Sequence, residues 1–222
     1  MQNFDTPAAV NAVLDIPAGR IRFIASDRTD TTVEVRPADP SSSRDAKAAE
    51  QTEVTCSGGV LDIKAPEAKS RILGHSGSVE VTVQLPAGSR VEAKSAAAEF
   101  RGVGQLGDVT VDGGHGSVKL DEAASVHLTG LDAHITVGRL HGSGEISTMR
   151  GDVTVAEATH GELALSTQQG DITVGVTQGV STSLDAGTAY GRVDNALMNT
   201  GGTPALTIKA TTQQGDIAAR TL

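Results

Sequence analysis

Residues 151–155 read GDVTV and residues 170–174 read GDITV, and variants of this unit recur through the second half of the chain. Each copy has a glycine-type corner, a short polar residue, and then apolar residues that alternate with Thr, Lys or Ala. The first apolar positions of the copies are Val109, Val118, Val126, Ile135, Ile146, Val153, Leu163 and Ile172. Their mean spacing of about nine residues accommodates one short strand and one turn. Two units would make a coil of about 18 residues, so the spacing predicts a β-solenoid.

Stacking of alternate units predicts two ladders of inward side chains. One contains Val118, Ile135, Val153 and Ile172, and the other contains Val109, Val126, Ile146 and Leu163. The hexapeptide TQQGDI occurs at residues 167–172 and again at 212–217. We expect the final segment, residues 215–222, to close the solenoid as its last coil, because an atypical terminal repeat shields an open ladder. A sandwich of short hairpins is the alternative architecture.

The first 93 residues show a different pattern, with six of the seven prolines and with strands separated by turns. Alternating apolar residues in NAVLDI, RIRFIA and TTVEVRP predict antiparallel strands of a β-meander. EVTCS and GVLDIK predict a hairpin around Gly58 and Gly59. Residues 40–51 fit either a flexible loop or a short helix capped by Ser42. We therefore predict one all-β domain, residues 1–222, with an N-terminal β-meander over 1–93 and a β-solenoid over 94–222.

The composition favours a thin aliphatic core and argues against nucleic-acid binding. Three Phe, one Tyr and no Trp are too few rings for base-stacking platforms. The formal charge of -9 repels phosphate backbones and anionic lipid heads. No segment has the roughly 18 consecutive apolar residues of a transmembrane helix. We expect no nucleic-acid partner and no membrane span.

Two further features predict a cytoplasmic location. The N-terminal residues carry no Lys or Arg before Arg20 and no long apolar stretch, unlike a signal peptide. Cys56 is the only cysteine, so the chain forms no internal disulfide, which suits a reducing compartment.

Four histidines are weak candidate metal ligands. His141 and His160 lie 19 residues apart, about one coil, and so do His115 and His134. Stacked imidazoles could bind a transition metal, but two ligands make a weak site, and no Cys or second carboxylate recurs in step. We expect these to be ordinary surface histidines, with no metal and no cofactor.

Two short motifs suggest functions that their context contradicts. GVGQLG, residues 102–107, matches the dinucleotide-binding fingerprint, but no helix pattern follows it. Residues 150–152 spell the integrin-type tripeptide RGD, yet Gly-Asp is a corner requirement of the repeat.

Asp121 and Glu122 are adjacent and so point to opposite faces of a strand. The sequence therefore predicts no catalytic site and a protein that is not an enzyme.

The sequence resembles the actinobacterial β-strand-repeat family, a domain of unknown function described as adhesin-like or toastrack-type. The resemblance covers nearly the whole chain: residues 4–40, SVEVTVQLPAGSRVEA at 78–93, the GDVTV-type repeats, TAYGRVDN at 188–195 and TTQQGDI at 211–217. It implies a repeat-built, β-helix-like domain with no established activity. Some relatives are linked to envelope-stress systems and tethered at membranes, and this chain resembles a cytoplasmic version.

We therefore expect a non-catalytic binding or scaffolding protein. One flat face of the solenoid would present rows of Thr, Gln, Lys and Asp to a protein partner. The open end of the solenoid could also pair edge to edge with another copy, giving a homo-oligomer. The alternatives are a secreted or surface adhesin, and a polysaccharide-acting β-helix enzyme, for which the sequence offers few clustered carboxylates and aromatic platforms.

Overall fold

A computed structural model of the chain describes residues 1–66, 77–199 and 201–222. Within these residues the protein is all-β with one short helix. Its elements are β1 (Gln2–Asp5), β2 (Asn11–Asp15), β3 (Ala18–Ser26), β4 (Asp30–Pro37), α1 (Ser43–Gln51), β5 (Glu53–Ser57), β6 (Val60–Lys64), β7 (Val79–Pro86), β8 (Arg90–Leu140), β9 (Gly144–Arg150), β10 (Val153–Ala158), β11 (Gly161–Gln169), β12 (Ile172–Val176), β13 (Thr182–Tyr190), β14 (Val193–Ala196), β15 (Leu206–Gln214) and β16 (Ile217–Thr221). No helix in this part of the chain is long and apolar enough to cross a bilayer.

The strands form two ladders that meet in β8. One ladder has the order β1-β4-β7-β3-β8-β10-β12-β16-β14, and the other has the order β5-β6-β2-β8-β9-β11-β15-β13. β8 spans 51 residues and belongs to both ladders because it winds through several turns of the coil. Beyond β8 every neighbouring pair is parallel. Each successive pair of strands, such as β9 and β10, therefore makes one coil, and the predicted all-β solenoid is confirmed.

The N-terminal strands follow the predicted antiparallel meander only in part. β5 with β6 is the antiparallel hairpin that the sequence predicts, and β1 with β4 and β4 with β7 are also antiparallel. β2 and β3 instead run parallel to β6, β7 and β8, so their antiparallel assignment was wrong. The turn between them is a solenoid corner that carries the chain from one ladder to the other. Gly19 makes this corner possible because a Cβ there would lie 1.9 Å from the Val79 carbonyl oxygen.

Residues 40–51 contain the capped helix rather than the flexible loop. The Ser42 hydroxyl accepts a hydrogen bond from the Asp45 amide at 3.4 Å and caps the first turn of α1. Ala48 is the residue of α1 that is buried in the core. The helix therefore packs beside the N-terminal end of the solenoid through a small apolar contact.

The coil period agrees with the predicted 18 residues. Val153 pairs with Ile135, 18 residues earlier, and with Ile172, 19 residues later. All three side chains are at most 1% exposed. The first predicted inward ladder is therefore confirmed for these three residues, and it continues the aliphatic core that the composition indicates.

The second predicted inward ladder was wrong at one step. Gly144, and not Ile146, pairs with Val126 and with Leu163, so the true register differs by two residues. A Cβ on Gly144 would lie 2.9 to 3.0 Å from side-chain atoms of its neighbours, including Val126 and Leu163. The neighbouring aliphatic side chains thus fill the space that a side chain at position 144 would take. Glycine can therefore occupy this inward position without leaving a cavity.

The last coil in the sequence is not the last coil in space. β15 lies between β11 and β13, and β16 lies between β12 and β14. The prediction that residues 215–222 close the solenoid was therefore wrong. The two TQQGDI copies instead stack directly on each other, with Thr167 opposite Thr212 and Gln169 opposite Gln214. Because identical corners make identical contacts, the second copy continues the ladder of the first, and the coil of β13 and β14 takes the end position.

Candidate functional site

One corner of the solenoid is built from a Thr-x-x-Gly motif. The Thr167 hydroxyl donates to the Gly151 carbonyl at 3.1 Å, and the Thr212 hydroxyl donates to the Gly170 carbonyl at 3.1 Å. Both threonines are buried, so each hydroxyl satisfies a corner carbonyl inside the coil. Gly170 has φ 146°, and a Cβ on it would lie 2.2 Å from the Gly151 oxygen. The corner therefore requires glycine and brings consecutive coils into backbone contact.

An aspartate column follows the same corner. The Asp171 amide donates to Asp152 Oδ1 at 2.9 Å, and the Asp216 amide donates to Asp171 Oδ1 at 2.8 Å. At the top of the column the Arg192 amide donates to Asp216 Oδ1 at 2.8 Å. Each carboxylate thus binds the backbone of the next coil, which explains why Gly-Asp recurs. The RGD tripeptide is part of this column, because its aspartate is Asp152.

A groove runs along this corner, across the ends of five strands. It has a volume of about 690 Å³. Its lining residues are His115, Leu131, Met149, Arg150, Gln168, Gln169, Ala189, Tyr190, Gln213 and Gln214. Strands in a sheet lie about 4.8 Å apart, so the five adjacent rungs from Leu131 to Tyr190 give this part of the groove a length of about 19 Å.

The groove collects apolar side chains that the fold leaves exposed. Leu131 is 51% exposed, Met149 is 46% exposed and Tyr190 is 76% exposed. Between them lie the glutamines of the two TQQGDI copies, and the Gln169 amide donates to the Gln214 side-chain carbonyl at 3.1 Å. Large apolar side chains that share one concave surface indicate an interaction site more strongly than the same side chains scattered singly.

The charge of the groove differs from that of the rest of the protein. Among the described residues that line it none is acidic, although the chain has a net charge of -9. Arg150 contributes a guanidinium that also contacts Asp132 at 3.2 Å. The groove lining is therefore free of acidic residues, and its one arginine is paired with a carboxylate beside the groove.

The family comparison agrees with this architecture. The profile described as Toastrack DUF4097 matches residues 13–221. The chain belongs to the Toastrack DUF4097 family. A search of curated proteins finds no match to this toastrack chain.

Solved structures with low sequence identity resemble this toastrack domain. A "putative adhesin" from Bacteroides fragilis NCTC 9343 is 15% identical, with 98% of this chain and 95% of that chain covered and a TM-score of 0.50. A "putative adhesin" from Parabacteroides distasonis ATCC 8503 is 14% identical, with 98% and 95% covered and a TM-score of 0.48. The similarity to the Bacteroides protein supports a shared fold, and at this identity it carries no information on ligands.

The four histidines of the toastrack domain have separate surroundings. His141 Nε2 lies 3.4 Å from Glu122 Oε2, His160 Nδ1 lies 3.1 Å from Thr159 Oγ1, His134 Nδ1 accepts from the Asp152 amide at 3.3 Å, and His115 lines the groove. In residues 1–66, 77–199 and 201–222, no three His, Cys, Asp or Glu side chains form a group that could hold a metal ion. The contacts of His134 and His141 are thus with the acidic residues of neighbouring coils.

The adjacent carboxylates Asp121 and Glu122 pair with different arginine side chains. Asp121 accepts a hydrogen bond from Arg101 at 2.6 Å, and Glu122 accepts one from Arg139 at 3.2 Å. Arg139 also donates to Glu157 at 2.8 Å, and this hydrogen bond holds the pKa of Glu157 below its ordinary value. These carboxylates therefore form ion pairs between coils and do not face each other as an acid and a base.

Of the residues that line the groove, only His115 was a site candidate from the sequence, and it was a candidate metal ligand. Leu131, Met149 and Tyr190 occupy outward positions of their repeats, where polar residues are the rule, and this departure was the available signal. The dinucleotide-like GVGQLG segment lies within the continuous strand β8, with no helix after it. Cys56 is partly buried and packs against the hydrophobic core.

Proposed function

We propose that this toastrack domain is a non-catalytic binding module that holds an extended segment of a partner protein in the corner groove. The observation that carries the proposal is the grouping of Leu131, Met149 and Tyr190, all strongly exposed, along one groove. An isolated exposed apolar residue needs no explanation, but several on one concave surface are typical of protein interaction sites.

The chemistry of the groove defines the partner segment. A length of about 19 Å accommodates about six residues of extended chain. Leu131, Met149 and Tyr190 would contact apolar side chains, while the glutamine amides can both donate to and accept from peptide groups. No carboxylate lines the groove, and Asp132 beside it is paired with Arg150, so the lining itself offers no free counter-charge to a basic segment. We therefore propose an apolar-rich segment without excess positive charge.

Site-specific photo-crosslinking tests this proposal in the native cell. A photoreactive amino acid placed at Met149 should form an adduct with one partner, and the same group placed at Val60 should not. Val60 is a suitable control because it is 41% exposed but lies outside the groove. The crosslinked segment would then be synthesised as a peptide and its affinity measured with the purified protein.

Substitutions in the groove should weaken that affinity. We expect Leu131→Ser with Met149→Ser to raise the Kd at least about tenfold, because buried apolar contacts each contribute about 1 kcal/mol or more. Val60→Ser should leave the Kd unchanged. The proposal would be contradicted by equal adducts at Met149 and Val60, or by a Kd that the double substitution leaves unchanged.

A cytoplasmic location is part of the proposal. Its support is that Cys56 is the only cysteine, which is compatible with a reducing compartment. Fractionation of cells that express the protein at its native level, followed by detection of the chain in each fraction, measures this directly. Recovery from the envelope or the medium would overturn this part while leaving the groove proposal to be tested there.

A surface adhesin is the second candidate function. The observation that favours it is the shared fold with a Bacteroides fragilis protein described as a "putative adhesin". Labelling of intact cells with a membrane-impermeant reagent separates the two candidates, because an adhesin must be labelled and a cytoplasmic binding module must not. A polysaccharide-acting enzyme has no comparable observation in its favour.

A further inference from the structure

The coil of β13 and β14 leaves one end of the solenoid uncovered. In the described part of the chain, β13 pairs only with β15, and β14 pairs only with β16. All four residues of β14 are exposed, and Val193 is 43% exposed although it lies in register with the buried Ile217. A strand edge with this exposure can accept a further strand.

The free side of β14 has a defined hydrogen-bonding pattern. The Ile217 amide donates to the Arg192 carbonyl at 2.8 Å, so Arg192 and then Asp194 direct their peptide groups toward β16. The intervening residues Val193 and Asn195 therefore direct their N–H and C=O groups away from the sheet. A strand that docks on this edge would hydrogen-bond to Val193 and Asn195.

The side chains of β14, together with Arg192 directly before it, are complementary to a second copy of the same segment. In an antiparallel pair with Val193 opposite Val193, Arg192 of each copy lies opposite Asp194 of the other. Val193 then forms a hydrogen-bonded pair, while Arg192 and Asp194 form the closer non-hydrogen-bonded pairs, in which opposite charges stabilise the sheet. Among the residues that the structure describes, the Arg192 side chain pairs only with Asp216, at 3.8 Å, and it is 90% exposed. It is therefore available to a partner.

The other edge strands in the described residues lack this self-complementarity. β1 carries only Asp5, β5 carries only Glu53, and β13 carries only Asp185, and no Lys or Arg directly precedes any of these strands, as Arg192 precedes β14. Pairing any of them with its own copy would bring in acidic groups without a cation to balance them. We infer that two copies of the protein join end to end through an antiparallel pair of β14 strands, around a two-fold axis at Val193.

The test reverses the charges that face each other across this axis. The monomer–dimer equilibrium of the full chain is measured by sedimentation. Arg192→Asp places two like-charged contacts in the dimer, and so does Asp194→Arg, so each should raise the dimer Kd at least about tenfold. An equimolar mixture of the two variants should form a heterodimer, because every contact then pairs Asp with Arg. Glu50→Arg on α1 is the matched control for an exposed charge reversal and should dimerise like the wild type.

Four results would each overturn the inference. The first is a wild-type protein that stays monomeric at about 100 μM, well above the Kd of a specific dimer. The second is dimerisation of both single variants with the wild-type Kd, which would place the contact elsewhere. The third is a mixture that stays monomeric while both variants keep the wild-type circular dichroism and melting temperature. Crosslinking of Val193 to a different protein, without self-association, would assign the edge to that partner instead.

Discussion

Gly170→Ala is the sharpest perturbation of the corner that organises the solenoid. Gly170 lies between the Thr167 and Asp171 contacts, in the column where the two TQQGDI copies stack. A Cβ at this position would lie 2.2 Å from the Gly151 carbonyl oxygen of the preceding coil. The atom that it meets belongs to the backbone, so it cannot move aside by a change of rotamer. The two coils would have to separate locally by about 1 Å to restore ordinary contact.

Two costs combine in this substitution. The φ of 146° is a conformation that residues with a side chain rarely adopt, and holding one there costs about 1 to 3 kcal/mol. Forcing an extra methyl group into a packed contact costs about 1 to 3 kcal/mol more. We therefore expect a loss of about 3 kcal/mol or more in the free energy of unfolding. For a domain of this size that loss corresponds to a fall in melting temperature of about 6 to 12 °C.

Thermal unfolding followed by circular dichroism measures this effect, and Gly187→Ala is its control. A Cβ on Gly187 would meet nothing within 4 Å, so this alanine should leave the melting temperature unchanged or raise it slightly. A Gly170→Ala protein that melts within about 2 °C of the wild type would refute the claim that backbone contact between coils fixes this glycine. An equal loss in both variants would refute it too, because the effect would then belong to alanine in a strand.

Three further predictions concern the polar groups of the coils. Thr167→Val should lower the free energy of unfolding in urea by about 1 kcal/mol, because the Gly151 carbonyl loses its donor, whereas Thr211→Val on the exposed face should change it little. Asp171→Ala should cost about 1 kcal/mol because the amide above it loses its acceptor, and Asp171→Asn, which keeps an acceptor oxygen, should recover most of the loss. Because the pKa of Glu157 is lowered in the folded protein, its stabilising contribution is present above its ordinary value of 4.5 and is lost as the pH falls through the folded pKa. Glu157→Gln should therefore reduce the fall in melting temperature between about pH 5 and pH 3, and an unchanged slope would contradict the role given to the Arg139 ion pair.

The sequence was sufficient to predict the repeat period and the inward ladder at Val153, because both depend on local alternation of apolar and polar residues. It was not sufficient at Gly144, since an inward glycine looks like a corner glycine when its neighbours in space are unknown. The parallel direction of β2 and β3 could not be predicted for a similar reason. A short turn with Gly19 is compatible with a hairpin or with a solenoid corner, and only long-range pairing with β7 and β8 separates the two.

The candidate groove depends on the same long-range order. Leu131, Met149 and Tyr190 are far apart in the sequence, and each is unremarkable by itself. Leu131 and Met149 lie on adjacent coils of one corner, and the second TQQGDI copy inserts between the first copy and the coil that holds Tyr190, which adds Gln213 and Gln214 to the groove. The repeat of TQQGDI after 45 residues is visible in the sequence, but it does not show that the two copies are direct neighbours. The order of the strands that cross the groove could therefore not be predicted.

The insertion also explains how an uncovered solenoid end remains ordered. The end coil of β13 and β14 is joined to the chain on both sides, to β12 before it and to β15 after it. Detaching it would release a loop with fixed ends, which gains less conformational entropy than a free terminal segment of the same length. The strands β15 and β16 are held between two coils, since β15 lies between β11 and β13 and β16 lies between β12 and β14. The fold therefore places a tethered segment at its exposed end, so that the edge of β14 keeps the strand conformation that docking requires.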